Sequence, residues 1–487
     1  MDLEERSHCF KAYDIRGIAG PTIPEGGALE LTEAFAHRLG SAFGTVLEGG
    51  AVAVGRDIRR SSPELAEGLI AGLTAAGSDV LDLGEVTTGC VYHAAWTLDV
   101  KGAIMVTASH LSMRTHNGFK MCYGTLPLAA EDIQDLRKRM IEGRFRTGEG
   151  RRIPTDHMPA YLDAILESVG PLARSVHLGI DAGNAVPGPF LVELLTRLGA
   201  EVEPIHCEWD PDEPHHGADP TRPKNMHDLS NIVVDRGCEF GIGVDGDGDR
   251  IGAVDGAGTF LHPDRLIALI GEDILAQVPP DAPEEARTVL YDVKCSMNVE
   301  RAIVAAGGIP RMARTGHSFM KRALAGSPLA PMAAEMSGHI FMADRGWYGF
   351  DCSLYNAARL VEVWSRTPGP SKGGPTLAAR LDALAPALPT SGEVKVPCAE
   401  ARKESIIDGI INAFEDHEAS TVDGIRVRFS ENGEDTGWYL ARRSNTEEVL
   451  IMRVEALTDQ HLDGIMDAVR TRVGGLIDLS RLEAAVA

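Results

Sequence analysis

The chain has 487 residues, of which 44% are hydrophobic and 24% charged, and its formal net charge is −24. This length predicts several domains, and the composition is that of an ordinary globular protein. The acidic balance argues against a general nucleic-acid surface. It does not argue against anionic small molecules, whose sites depend on local Arg and Lys.

The chain carries no recognisable membrane or export signal. No apolar run is long enough to span a bilayer, and the opening MDLEERSHCFKAYDIRG is unlike a signal peptide. The eight cysteines are scattered without a CxxC pair, which predicts reduced thiols and no zinc site. We therefore expect a cytoplasmic enzyme that acts on small molecules and binds neither membrane nor nucleic acid. Both a monomer and a homodimer are compatible with the sequence.

A pattern of strand, acid-tipped loop, helix, glycine and strand occurs three times along the chain. The first strand of each copy is predicted at 51–57, 176–181 and 288–292, and each ends in an aspartate. Each copy is a βαβ unit, which implies a parallel sheet. One large doubly wound sheet is the alternative, but the even spacing of the copies favours three homologous α/β domains.

After the Pro/Gly-rich stretch 367–374, the βαβ order stops. Strands are predicted at 394–397, 421–429, 437–441 and 449–455, and helices at 403–417 and 459–475. This mixture predicts a fourth domain of the α+β class. The predicted domains are 1–152, 153–256, 257–372 and 373–487.

The run AIMVTASHLSMRTHNGFK at 103–120 places a hydroxyl just past a predicted buried strand. Ser109 has the imidazole of His110 beside it, and the amine of Lys120 follows a Gly-containing turn. A hydroxyl next to such groups suits a nucleophile or a group carrier. On these residues alone, an ordinary turn is an equal alternative.

Three carboxylates at alternate positions, Asp245, Asp247 and Asp249, can point to one side of an extended loop that Gly246 and Gly248 permit. They are candidate ligands for a metal ion. An EF-hand calcium loop is excluded, because Arg250 occupies its glycine position and strands are predicted on both sides. Arg250 suits an anion held beside the cation.

Three further clusters are candidates for binding a sugar phosphate. A capped helix N-terminus is the alternative for the first and a solvated loop for the last, while the chemistry of the second is only moderately specific. Residues 314–321 offer Thr315, Gly316, His317 and Lys321; residues 334–339 offer Glu335, Ser337 and His339; and residues 442–447 offer Arg442, Ser444, Asn445 and Thr446. A guanidinium beside small donors at a turn can clamp a phosphate dianion.

Together these residues resemble the α-D-phosphohexomutase superfamily, most closely its bacterial phosphomannomutase/phosphoglucomutase branch, in the family's order from Tyr13 to Thr446. TASH at 107–110 resembles the phosphoserine loop, DGDGDR at 245–250 the metal loop, EMSGH at 335–339 the sugar loop, and RRSNT at 442–446 the phosphate loop. The resemblance implies an α/β fold class: three homologous α/β domains and a TATA-box-binding-protein-like α+β domain around a central cleft.

The resemblance also implies reversible phosphoryl transfer between the 1- and 6-positions of a hexose phosphate. Ser109 would carry the phosphoryl group, with a hexose 1,6-bisphosphate as intermediate and activator. Mg²⁺ would bind Asp245, Asp247, Asp249 and a phosphoserine oxygen. The implied catalytic residues are Arg16, Ser109, His110, Lys120, Arg250 and His339. The implied substrate-binding residues are Tyr13, Arg16, Thr315, Gly316, His317, Lys321, Glu335, Ser337, His339, Arg442, Ser444, Asn445 and Thr446.

Three departures from the family pattern affect these expectations. The usual HNPPxYNGxK segment is replaced by HLSMRTHNGFK, which lacks the Pro pair and adds one residue before Lys120. Ala334 stands where Gly is usual, and Arg443 replaces a small residue, so either arginine of that loop is a candidate for the phosphate; we expect Arg442. Met336 accompanies mannose or glucose phosphates in the family, rather than amino sugars.

Three other functions compete with the mutase. One is a metal-dependent phosphatase, in which the altered 110–116 loop admits water. Another is a phosphoglucosamine or N-acetylglucosamine phosphate mutase. The third is a non-catalytic sugar-phosphate-binding protein, against which the intact Ser109, aspartate triad and Lys120 argue.

Overall fold

The computed structural model describes residues 3, 4, 6–444 and 447–486, arranged as four units that are each built around one β-sheet. Asn445 and Thr446 of the predicted phosphate loop lie outside the described residues. In the described part of the chain, no helix is both long and apolar enough to cross a membrane.

The first unit contains seven strands and four helices. The strands are β1 (Ile15–Ile18), β2 (Val52–Arg56), β3 (Val80–Glu85), β4 (Gly102–Val106), β5 (His116–Tyr123), β6 (Leu126–Pro127) and β7 (Arg152–Pro154). The helices are α1 (Glu33–Val46), α2 (Ser62–Ala75), α3 (Thr88–Thr97) and α4 (Ala130–Glu142). The strand order is β1-β5-β4-β2-β3-β7, and β6 pairs with β5.

The second unit has a five-stranded sheet in the order β12-β11-β10-β8-β9. Its strands are β8 (His177–Asp181), β9 (Glu201–Ile205), β10 (Phe240–Val244), β11 (Ile251–Asp255) and β12 (Phe260–Leu261). Its helices are α5 (Met158–Val169), α6 (Gly188–Leu198) and α7 (His227–Arg236).

The third unit has a four-stranded sheet in the order β14-β13-β15-β16. Its strands are β13 (Thr288–Asp292), β14 (Ile309–Ala313), β15 (Met332–Ala334) and β16 (Ile340–Met342). Its helices are α8 (Pro263–Ala276), α9 (Met297–Ala305), α10 (His317–Ala325), α11 (Ser353–Ser365) and α12 (Leu377–Leu384).

The first three sheets each contain the same core arrangement of strands, in which three parallel strands are followed by one antiparallel strand. This core is β3-β2-β4-β5 in the first unit, β9-β8-β10-β11 in the second and β14-β13-β15-β16 in the third. The predicted βαβ repeats are the first two parallel strands of each core with their connecting helix. The prediction of three α/β repeats is therefore confirmed, and each repeat has its own sheet.

The fourth unit has an antiparallel sheet in the order β17-β21-β20-β19-β18. Its strands are β17 (Val394–Pro397), β18 (Ala419–Ser420), β19 (Ile425–Glu431), β20 (Glu434–Arg443) and β21 (Val449–Ala456), and its helices are α13 (Glu400–Ala413), α14 (Asp459–Val473) and α15 (Ser480–Val486). The strand predicted from residue 421 begins later, at Ile425. Gly424 has a left-handed φ of +75°, which interrupts the extended chain.

One hydrophobic core runs through the first three units, whereas the fourth has its own. The junction between the third and fourth units combines a small hydrophobic cluster of Val293, Met297, Trp438 and Leu440 with buried polar contacts. Arg426 donates to the carbonyls of Val293 and Cys295 and lies 3.9 Å from the ring centre of Trp438. All eight cysteines are buried and unpaired, as expected for reduced thiols.

Candidate active site

The three predicted motif loops occupy equivalent positions in the three α/β sheets. Ser109 lies between β4 and β5, the aspartate triad between β10 and β11, and the EMSGH loop between β15 and β16. Each loop therefore connects the third parallel strand of the shared core to its antiparallel neighbour. The units are turned so that these loops meet: Ser109 Oγ donates to Asp245 Oδ2 at 2.7 Å.

Ser109 is held in a strained backbone conformation. Its φ is +54°, in the left-handed region that a non-glycine residue occupies only when its surroundings impose it. Its N–H donates to Thr107 Oγ1 at 3.0 Å, and its carbonyl accepts from Arg59 at 2.6 Å. His110 Nδ1 lies 3.3 Å from Ser109 Oγ. The loop therefore fixes the direction of the hydroxyl before any ligand binds.

Arg59 is a buried side chain that holds this loop in place. Its guanidinium also donates to the carbonyls of Leu111 and His116, and it pairs with Asp57 at 2.7 Å. Its side chain is fully buried. Sequence reasoning noted the acid at the end of β2 but missed Arg59, although an arginine two residues after that acid was the available signal.

The aspartate loop is organised around Asp245. Its Oδ1 accepts the backbone N–H groups of Asp249 and Arg250, at 2.9 and 3.1 Å. Thr88, at the start of α3, donates through its hydroxyl to Asp247 Oδ2 at 2.5 Å. All three aspartates are fully buried, and one oxygen from each lies within 4.8 Å of the others. The carboxylates therefore converge on one point, as their alternate spacing predicts.

Lys120 supplies positive charge to this triad. Its Nζ donates to Asp247 Oδ2 at 2.6 Å and also to Asp249. Burial acts to lower the pKa of Lys120, but Asp247, Asp249 and Asp245 outweigh it and hold the pKa above its usual value. Despite the altered segment before it, Lys120 lies opposite Met105 on β4 and points into the site.

The carboxylates of the triad do not share the same electrostatic environment. Burial, followed by repulsion from Asp249 and Asp247, raises the pKa of Asp245 well above its usual value. Burial also acts to raise the pKa of Asp249, but Lys120 and His339 outweigh it and lower that pKa. Arg250 Nε lies 3.7 Å from Asp245 Oδ2. The three carboxylates of the triad thus outnumber the two cationic side chains, Lys120 and Arg250, that lie beside them.

His339 enters the site from the third unit and rests against Asp351, which sequence reasoning missed. Its Nδ1 lies 3.0 Å from Asp351 Oδ2 and 3.6 Å from Asp249 Oδ1. Asp351 is also held by Lys321 at 2.7 Å, and Lys321 in turn contacts Tyr92 OH at 2.9 Å. Asp351 lies outside every motif in the sequence, so only the tertiary structure reveals it.

The 335–339 loop and the 314–321 segment form one hydrogen-bonded group. Gly316 N–H donates to Glu335 Oε1 at 2.5 Å, and Thr315 Oγ1 donates to Asp292 Oδ2 at 3.1 Å. Burial raises the pKa of Glu335. Ser337 is half-buried at the loop's tip. These residues therefore gather on one side of the cleft.

The fourth unit reaches this group through Asp423, a third residue that the sequence did not reveal. Asp423 Oδ2 accepts from Thr315 N–H at 3.1 Å and from Arg442 Nε at 2.8 Å. Arg442 is buried, whereas the neighbouring Arg443 is exposed. Arg443 and Ser444 line a cavity of about 660 Å³ between the first and fourth units.

The two remaining predicted residues line the first unit's side of the cleft. Tyr13 packs edge-on against His317, with ring centres 4.7 Å apart. Burial lowers the pKa of His317 well below its usual value, and Lys321 and Lys120 add to this effect. Arg16 pairs with Asp14 at 2.6 Å and lies opposite Gly118 on β5. Arg16 is thus adjacent to the strand that follows Ser109, whereas Tyr13 contacts the 314–321 segment of the third unit.

Comparisons with known proteins agree along the whole chain. Models of the phosphoglucomutase/phosphomannomutase family match in order: alpha/beta/alpha domain I at 7–147, domain II at 159–258, domain III at 262–382 and the C-terminal domain at 393–472. The chain belongs to this family. Membership makes it a phosphohexomutase, an isomerase of carbohydrate metabolism, and confirms the resemblance, the fold class and the reaction class expected from the sequence.

Individual relatives of this phosphohexomutase cover nearly its full length. It is 36% identical to the phosphomannomutase/phosphoglucomutase of Pseudomonas aeruginosa, with 95% of each chain covered. It is 37% identical to the phosphoglucomutase of Neisseria gonorrhoeae, with 94% of this chain and 95% of that one covered. A crystal structure of a family protein from Burkholderia thailandensis matches with a TM-score of 0.84 at 36% identity, over 96% and 98% of the two chains.

Proposed function

We propose that the chain interconverts the 1- and 6-phosphates of mannose and/or glucose, with Ser109 as phosphoryl carrier and a hexose 1,6-bisphosphate as intermediate. The observation that carries this proposal is the 2.7 Å contact between Ser109 Oγ and Asp245 Oδ2. It joins a hydroxyl of the first unit to a carboxylate cluster of the second. A buried serine held against three carboxylates is suited to metal-assisted phosphoryl transfer, because a metal ion offsets their charge.

The aspartate cluster fits Mg²⁺. Its donors are all carboxylate oxygens, which hard divalent cations prefer. Within the described residues, Asp247 Oδ1 and Asp249 Oδ1 are buried without a hydrogen-bond partner. We propose that Asp245, Asp247 and Asp249 hold the ion together with a phosphoserine oxygen. Bound there, Mg²⁺ would neutralise charge on the transferring phosphoryl group.

The chain's own residues would position the phosphoryl group. The strained Ser109 loop presents the oxygen, while Lys120 and Arg250 place two cationic groups beside it. In the forward step, the bond from Ser109 Oγ to phosphorus breaks as a sugar hydroxyl oxygen bonds to phosphorus. The bisphosphate then turns over in the cleft, and its other phosphoryl group returns to Ser109.

The proton of the attacking hydroxyl needs an acceptor, and two residues compete for this role. Lys120 is kept protonated by the surrounding carboxylates, which favours it as an electrostatic partner. A carboxylate 3.0 Å from His339 Nδ1 favours a proton on that nitrogen and leaves Nε2 as acceptor. We therefore assign the acid/base role to His339, oriented by Asp351.

The third and fourth units would bind the non-reacting part of the substrate. Glu335 and Ser337 are suited to sugar hydroxyls. Arg442 and Ser444 are suited to the distal phosphate, together with Asn445 and Thr446, which lie outside the described residues. Met336 is the basis for expecting mannose or glucose, and its sulfur contacts Arg453.

The deciding experiment is intact-mass analysis before and after incubation with glucose or mannose 1,6-bisphosphate and Mg²⁺. We expect a gain of about 80 Da, one phosphoryl group, that is lost in Ser109→Ala. Ser112→Ala, in the same loop but bonded to Glu213, is the matched control and should still be phosphorylated. Absence of phosphorylation at Ser109 would refute the carrier mechanism.

Product analysis separates the mutase from the phosphatase alternative. Coupled assays on glucose 1-phosphate and mannose 1-phosphate should yield the 6-phosphates without release of inorganic phosphate. Stoichiometric phosphate release would favour the phosphatase instead. The relative kcat/KM for the two sugars decides between mannose and glucose.

A further inference from the structure

A second cluster of potential metal ligands lies in the second unit, outside the aspartate triad. Asp181 ends β8, His206 follows β9, and His216 lies on the long connection from β9 to α7. Because β8 and β9 are parallel, their carboxyl ends meet at the same edge of the sheet. One donor atom of each side chain lies within 4.8 Å of the other two.

The hydrogen bonds around His216 leave a lone pair facing a carboxylate. His216 Nδ1 lies 3.2 Å from its neighbour's carbonyl, Gly217 O, which only a protonated nitrogen can contact favourably. Nε2 is then the acceptor nitrogen of a neutral imidazole, yet it lies 3.0 Å from Asp181 Oδ2. Two acceptors at this distance require a positive charge between them, either a proton or a metal ion.

The other groups are fixed in the manner of metal ligands. Asp181 Oδ1 accepts the N–H of Gly183 at 2.9 Å, which orients the carboxylate. His206 has a left-handed φ of +46°, and its Nε2 lies 3.0 Å from Asp228 Oδ2. A carboxylate or carbonyl behind each imidazole is the usual outer support of a metal-binding histidine. The side chains of His206 and His216 are each only 15% exposed.

We propose that Asp181, His206 and His216 bind one Zn²⁺ ion. Two imidazoles and one carboxylate are a donor set that suits zinc, which binds them at about 2.0–2.2 Å. Tetrahedral geometry then places donor atoms roughly 3.4 Å apart, so small side-chain rotations would bring the three donor atoms to this spacing. The cysteine pattern that argued against zinc has no bearing here, because no cysteine belongs to the set.

Such an ion would brace a segment that supports the active site. The connection carrying His206 and His216 also carries Asp212 and Glu213, which bond to Arg60 and Ser112 of the first unit. Ser112 belongs to the altered stretch that follows Ser109. Zinc at this position would therefore stiffen the contact between the second unit and the phosphoserine loop, without taking part in the chemistry.

The test is a zinc count on tag-free protein, because an affinity tag of histidines would itself bind zinc. The protein is equilibrated with Zn²⁺ in excess Mg²⁺, desalted, and its zinc measured by mass spectrometry. We expect one zinc per chain, lost in His216→Gln and His206→Gln. It should be retained in Asp247→Asn, which disrupts the triad, and in His37→Gln, which alters an exposed histidine on α1.

A variant that misfolds would also lose zinc, so the ligands are read directly on the wild-type protein. Zinc-edge X-ray absorption should show two imidazoles in the coordination shell. A shell without imidazole, zinc retained in His216→Gln, or zinc lost in Asp247→Asn would each overturn the proposal. If zinc were lost in His215→Gln but retained in His216→Gln, the ion would be bound by His206 and His215, and this ligand set would also be refuted.

Discussion

Replacing Arg59 by methionine tests whether a buried side chain outside the motifs holds the Ser109 loop in place. Arg59 is fully buried, pairs with Asp57 and donates to three carbonyls, including that of Ser109. Methionine fills similar volume but removes the charge and every donor. Asp57 is then left buried without its ionic partner, and Ser109 loses a contact that holds its strained backbone in place.

The size of the expected destabilisation follows from the burial of the Arg59–Asp57 ion pair. Breaking a buried ion pair by removing one partner costs about 3–5 kcal/mol. At 1.36 kcal/mol per factor of ten, this predicts roughly 10²- to 10⁴-fold faster amide exchange in the peptides that cover 102–123. Phosphorylation of Ser109 should slow in parallel, because its hydroxyl is no longer held toward Asp245.

Hydrogen exchange with mass spectrometry measures the loop directly, and intact mass follows phosphorylation in the same samples. Arg60→Met is the matched control: Arg60 is adjacent, but its pair with Asp212 is about half exposed on both sides. Exposed pairs contribute little to stability, so its 102–123 peptides should exchange like the wild type. Equal protection in Arg59→Met and wild type would refute the bracing role.

Three further predictions concern other parts of the molecule. Arg442→Ala should raise KM for the sugar phosphate roughly 10- to 100-fold, as expected for lost charge-assisted hydrogen bonds, while Arg443→Ala changes it little; the reverse order in steady-state kinetics would contradict our assignment. Gly246→Ala places a Cβ 2.4 Å from Ser109 O, and the overpacking should slow Ser109 phosphorylation roughly 10-fold or more in a mass time course, so an unchanged rate would argue against the close approach. Burial, with a neighbouring imidazole, lowers the pKa of His93 from 6.5 to about 4, so the unfolded chain takes up the proton first and stability falls as pH drops through this window; His93→Phe should flatten that decline in melting temperature, and an identical pH profile would exclude His93 as its source.

Local periodicity was sufficient to predict the repeats, and the motif loops were identified by their resemblance to those of the family. The βαβ pattern depends on residues close in sequence, and the structure places each predicted repeat in a parallel sheet. The alternate spacing of Asp245, Asp247 and Asp249 likewise predicts their convergence, because intervening glycines allow the loop to extend. These features are encoded within segments of ten to thirty residues.

The supporting residues could not be predicted in the same way. Asp351 follows β16 yet faces a histidine that precedes that strand, and Asp423 joins Thr315 and Arg442 across two units. Such partners are brought together by packing between units, which leaves no spacing rule in the sequence. The position of Lys120 also depended on tertiary structure, since the register of β5 with β4 decides which face the side chain takes.

The site's electrostatics support our proposal that a cation and a phosphoryl group occupy it together. Asp245 already has a raised pKa, because burial and two neighbouring carboxylates disfavour its negative charge. A phosphoryl group on Ser109 adds a charge of about −1.5 to −2 next to that carboxylate. The two positive charges of Lys120 and Arg250 are too few to balance the carboxylates and the phosphoryl group together. A divalent cation at the triad would supply the missing positive charge. The cation and the phosphoryl group on Ser109 would therefore favour each other by the same factor. The serine of one unit and the carboxylates of the next are thus coupled through charge as well as through contact.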